Sequence, residues 1–93
     1  MTLLWIYNIL PSRKSKPTAL KIGPYRFFFY AGDRDEPKHI HVECNDKIGK
    51  FWLDPVRMQS SGGFGRTELG KIHKIIQENH AKLMEAWNEY FGN

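Results

Sequence analysis

Cysteine is almost missing from this chain, with Cys44 the only one among 93 residues. A single thiol closes no internal disulfide and builds no cysteine cluster for zinc, so a reducing, cytoplasmic setting is expected. Within an apolar stretch it reads as a small core residue rather than a nucleophile. Membrane-length apolar runs are missing too. The apolar opening, Leu3 to Leu10, is too short to cross a bilayer, has no Lys or Arg before it and no small-residue cleavage site after it, so neither a span nor a signal peptide is expected. The phosphate-loop pattern is incomplete: Ser60–Thr67 is glycine-rich but lacks the motif's first glycine and its lysine, which argues against nucleotide hydrolysis. Asp33–Glu36 opens like a calcium loop but lacks the glycine and distal glutamate such loops need. No cofactor is expected from these patterns.

Aromatic side chains are abundant instead. Phe, Tyr and Trp make up 14% of the chain, clustered at Tyr25–Tyr30, Phe51–Trp52 and Trp87–Phe91, and each can bury a large area in a small core. Ninety-three residues suffice for one domain with one core. The net charge of +4 is uneven, because residues 75–93 are net acidic and the remainder carries the basic excess. A basic body favours contact with nucleic acid or with an acidic protein, against the plainer reading of charge that only keeps the chain in solution.

Residues 1–16 read as an extension: a short apolar segment that could dock as a strand or turn, followed by the solvated basic linker Pro11–Pro17. Residues 17–93 read as a single α+β domain. Ala19–Ile22 begins a strand that Gly23-Pro24 interrupts, and Tyr25–Tyr30 continues as an aromatic strand. Ala31–Lys38 is a charged connecting loop. His39–Cys44 then alternates, with His39, His41 and Glu43 on one side and Ile40, Val42 and Cys44 on the other. A turn at Asn45-Asp46-Lys47 leads to a strand at Ile48–Asp54. The expected architecture is an antiparallel meander of about three strands, with Ile40, Val42, Phe51 and Leu53 facing the core. Pro55–Gly65 reads as a loop. Apolar residues at helical spacing predict a helix from about Thr67 to Glu78, a kink or break at Asn79-His80, and a second helix to about Phe91, closed by Gly92.

Chemistry concentrates on the sheet face opposite the core. His39 and His41 point the same way and could share a metal, but two ligands do not make a site. Asp33, Asp35 or Glu36 could complete it only if the loop folds over, so no metal is expected. The same pair could act as general acid and base in RNA cleavage, with Glu43 beside them and Lys50 or Arg57 stabilising a phosphorane. The binding alternative uses the same face: His39, His41, Lys50, Trp52 and Arg57, with Arg34 and Lys38 of the loop, offer stacking, hydrogen bonds and phosphate contacts. Arg66 and His73 lie two helical turns apart, a spacing that also occurs in helical ribonucleases but arises easily by chance.

The run Tyr25–Val42, then Phe51-Trp-Leu-Asp-Pro55, Gly63-Phe64, Glu68-Leu69 and Glu85–Phe91, resembles a small bacterial family of unknown function, the one numbered four-one-six-zero. The likeness covers about residues 17–92. It implies a compact α+β domain that is typically a whole protein. It also implies a gene placed beside a second small domain of unknown function, numbered two-four-four-two, in an arrangement like that of toxin–antitoxin pairs. The companion small protein is therefore the first expected partner, and RNA or DNA the second. The family has no established activity and no catalytic residues to transfer. Gly65 stands where relatives often have a serine helix cap. The leading functional reading is a cytoplasmic binding module of such a pair, with a metal-independent ribonuclease using His39 and His41 as the rival.

Overall fold

In the computed structural model the described residues are 18–92, so the expected N-terminal segment and basic linker lie outside them. Gly23 and Pro24 do more than interrupt a strand. Gly23 adopts a positive φ of 57° and the chain reverses there, pairing β1 (Thr18–Ile22) antiparallel with β2 (Tyr25–Phe28). A 3-10 turn at Ala31–Asp35 follows, then β3 (His39–Cys44) and β4 (Lys47–Leu53). Asn45, with a φ of 58°, makes the tight turn between them, a conformation asparagine tolerates better than most side chains. A fifth strand, β5 (Val56–Ser60), returns along β4 through a two-residue turn at Asp54 and Pro55.

The sheet is thus a five-stranded antiparallel meander in the order β1-β2-β3-β4-β5. The α+β class stands, while the expected count of three strands is corrected at both edges. β5 escaped notice because it is an edge strand that is half-buried only at Val56 and otherwise exposed, so it lacks the alternation that marks a half-buried strand.

Two helices, α1 (Arg66–Glu78) and α2 (His80–Phe91), cover one face. Their break is a local event at Asn79. Its backbone turns out of helical geometry (φ −117°, ψ 21°), and its side-chain amide donates to the Ile75 carbonyl at 2.8 Å. The asparagine thus satisfies an acceptor at the end of α1, as polar side chains commonly do at helix ends. Gly92, at φ 79°, closes α2.

Ile72, Ile76, Leu83, Ala86, Trp87 and Phe91 meet Tyr25, Phe27, Ile40, Val42, Phe51 and Leu53 in one core. Each fully buried large apolar side chain contributes roughly 1.5–3 kcal/mol. The glycine-rich stretch before α1 has a packing role. A Cβ on Gly62, which has a φ of 62°, would lie 2.0 Å from the Ile48 carbonyl oxygen, so only glycine lets this loop cross the start of β4.

Candidate functional site

Cross-strand register decides what surrounds the histidine pair. On the sheet face away from the helices, Phe28, His41 and Lys50 form one row, and His39, Trp52 and Arg57 the next. Sequence alternation put both histidines on this face and left it available to water or a partner. The first half is correct, and the second fails at the histidines themselves, while Lys50, Trp52 and Arg57 keep exposed surface. His39 has no exposed surface and His41 keeps only 8%.

The cover comes partly from the connecting segment. Asp33, at the third position of the 3-10 turn, accepts a hydrogen bond from the Tyr30 amide at 2.9 Å. This closes the turn and directs the carboxylate back over β3. Its Oδ2 lies 3.1 Å from Nε2 of His41 and 3.1 Å from Nε2 of His39. Asp33 is itself buried. The charged loop therefore folds over the histidines, and the ligand count that set a metal aside rises from two to three. The three donor atoms lie within 4.8 Å of one another.

Rings pack the rest of the site. Phe28 stacks on His41 with centroids 5.5 Å apart, Tyr30 meets it edge-on at 4.6 Å, and Trp52 and Trp87 lie 5.8 and 5.2 Å from the His39 ring. The two imidazoles stand perpendicular at 5.0 Å. His39 Nδ1 lies 2.8 Å from the Pro37 carbonyl oxygen. A carbonyl only accepts, so this nitrogen carries a proton.

Electrostatics follow from this enclosure. Burial alone would raise the Asp33 carboxyl, but the His39 and His41 side chains and the Tyr30 amide outweigh it and hold the group well below the usual carboxylate range. Glu36 is lowered chiefly by the hydrogen bond from Lys50, at 2.6 Å. Tyr90 is raised by burial and by the Asp33 charge.

The other expected site residues divide into two groups. Lys50, Trp52 and Arg57 share the outer face, with the Lys50 ammonium 4.9 Å above the Trp52 ring and Arg57 paired across from Trp52. Arg34 and Lys38 instead turn toward α2: Arg34 borders a depression beside Tyr90 and Phe91, and Lys38 donates to Asn88 at 2.7 Å. Glu43 does not join the histidines. It is ion-paired with its cross-strand neighbour Arg26 at 2.6 Å. Nor do the helical histidines form a second site, since His80 lies 2.6 Å from the Leu53 carbonyl oxygen and the His73 ring faces Phe51 and the Val56 carbonyl.

Asp33 is the residue that residue-type reasoning placed only conditionally. A signal for it was present: an aspartate three residues after the aromatic run, on a connector too short to stray far from His39 and His41.

Neither the curated proteins nor the solved structures contain a match to the chain. None of the described helices is long and apolar enough to cross a membrane. A family model does match, over residues 25–88, a segment that holds the 3-10 turn, both histidines and most of the core. The chain belongs to the family described as Domain of unknown function (DUF4160).

Proposed function

We propose that this domain is a binding module whose contact surface is the outer face of β4 and β5, centred on Lys50, Trp52 and Arg57. The observation that carries this reading is the complete burial of His39. General acid–base cleavage of RNA needs both histidines within hydrogen-bond reach of a phosphodiester. An imidazole enclosed by Trp52, Trp87 and His41, with Nδ1 bonded to the Pro37 carbonyl, offers no such access. The ribonuclease reading is therefore the weaker one.

What the outer face does present is a half-buried tryptophan flanked by two cations, on a chain of net charge +4. Aromatic and arginine side chains are the groups most often found at the centre of contact surfaces. Their charge suits an acidic partner surface, and the partner that the family resemblance points to is the companion small protein of a toxin–antitoxin-like pair. The buried Asp33–His39–His41 cluster serves this surface indirectly. It fixes the segment that carries Glu36, which in turn holds Lys50 in place.

Co-expression with the product of the neighbouring gene, followed by size-exclusion chromatography, tests the proposal. A stable complex that Lys50→Glu combined with Arg57→Glu weakens at least tenfold is the expected result. A complex indifferent to both reversals rules this surface out. Retardation of RNA that fades between about 50 and 200 mM salt, with no protein complex, would move the assignment to nucleic acid.

A further inference from the structure

Among the described residues, His39 Nε2 and Trp87 Nε1 are buried without a hydrogen-bond partner, and only the first lies beside a carboxylate and a second imidazole. His39 Nδ1 donates to the Pro37 carbonyl, which leaves Nε2 as the ring nitrogen turned toward Asp33. That nitrogen is buried 3.1 Å from the Asp33 carboxylate oxygen yet makes no hydrogen bond. A buried ring nitrogen without a hydrogen-bond partner, beside a buried carboxylate, is a setting that a bound cation would satisfy.

We infer that Asp33 Oδ2, His39 Nε2 and His41 Nε2 form a binding site for one divalent transition-metal ion of the zinc type.

The two Asp33–histidine separations come close to what such an ion sets. Donors about 2.0–2.2 Å from a common zinc at tetrahedral angles lie roughly 3.3–3.6 Å from one another. Both Asp33–histidine separations are 3.1 Å. The missing hydrogen bond at His39 Nε2 has the same origin, since ligands aim at the ion rather than at each other. The perpendicular imidazoles let two Nε2 atoms converge from different directions. The Pro37 carbonyl on Nδ1 is the backbone partner that fixes a ligating histidine's tautomer and orientation.

Two imidazoles and one carboxylate select a borderline ion such as Zn²⁺, Co²⁺ or Ni²⁺, and disfavour Mg²⁺ and Ca²⁺, which prefer oxygen. His41 Nε2 also contacts Asp33 as a hydrogen-bond partner. Coordination requires that nitrogen to be unprotonated, so a neutral His41 transfers its proton to Nδ1 through solvent. Three protein ligands leave one coordination position, and the small exposed fractions of Asp33 and His41 place it toward the surface. None of this rests on the partner surface proposed above.

Isothermal titration of the full chain with Zn²⁺ tests the inference. One ion per chain is expected, with affinity falling at least tenfold in His41→Gln and in Asp33→Asn. Both variants keep a group able to bond in place of the original. His73→Gln and His80→Gln should bind as the parent does. Absence of saturable one-to-one binding, or equal affinity in His41→Gln and Asp33→Asn, would overturn the site. If circular dichroism shows either variant unfolded, histidine-ring NMR of the parent decides. Zn²⁺-dependent shifts at His39 and His41 support the site, and shifts confined to His73 and His80 refute it.

Discussion

The two faces of the sheet are built from the same strands but by different physics. The inner face packs Ile40, Val42, Phe51 and Leu53 against helical Ile72, Ile76 and Leu83, a surface held by apolar burial. The outer face carries His39, His41 and Trp52 in consecutive rows and closes over a carboxylate. Apolar packing is forgiving in direction and sensitive to volume. A buried polar cluster is the reverse, because every donor and acceptor must be matched or the desolvation cost stands. β3 therefore carries two kinds of constraint at alternate residues.

Substitutions on each side should separate these regimes. Phe51→Ala, on the inner face, is expected to cost the most, about 3–5 kcal/mol in chemical denaturation, through lost transfer energy and the cavity left behind. A loss under about 1 kcal/mol would mean the inner face is far looser than its burial implies. Asp33→Ala, on the outer face, should cost about 2–3 kcal/mol, because the Tyr30 amide loses its acceptor and His41 its partner. Its distinguishing mark is local: hydrogen exchange should accelerate at the Tyr30 amide, while inner-face amides slow or quicken only with global stability.

A smaller effect is expected at the edge of the core. Tyr25 donates to Glu68 at 2.9 Å, and burial, together with that carboxylate, pushes its phenol up to about 12. Tyr25→Phe should lose about 1 kcal/mol at neutral pH. The raised value means that the neutral phenol's contribution is fully present below its ordinary value near 10 and is lost as pH rises toward 12. The parent should therefore weaken over that interval relative to Tyr25→Phe, as urea midpoints across alkaline pH would record. The smallest effect belongs to the exposed Lys50–Glu36 pair. Glu36→Gln should leave the thermal midpoint unchanged within error, since solvent-exposed ion pairs contribute little.

Legibility in the sequence followed the same division. Ile40 and Val42 alternating with His39 and His41 announced a two-sided strand, and Asn79 within an apolar stripe announced the helix break, because both patterns are local and periodic. The Asp33 contact could not be read in this way. A run of Gly-Asp-Arg-Asp-Glu is what a solvated turn also looks like, and only the Tyr30 amide bond to the Asp33 carboxylate turns it inward. β5 was hidden for a related reason: an edge strand with four exposed residues out of five carries no burial pattern, and its pairing with β4 is tertiary information. Burial of the histidines depended on both kinds of unseen contact.

The polar cluster is also short in sequence: all three side chains come from residues 33–41. Contacts this close carry little loop-closure entropy, and loops of about ten residues close in roughly 10–100 ns. Its parts can therefore meet as soon as β2 and β3 pair, before either helix has docked. The Asp33–His39–His41 contacts are therefore expected to form in the early half of the folding reaction, ahead of the packing of Trp87 on His39. Destabilising changes at Asp33 are accordingly expected to slow refolding, and changes in α2 to hasten unfolding, a contrast that stopped-flow chevrons would display.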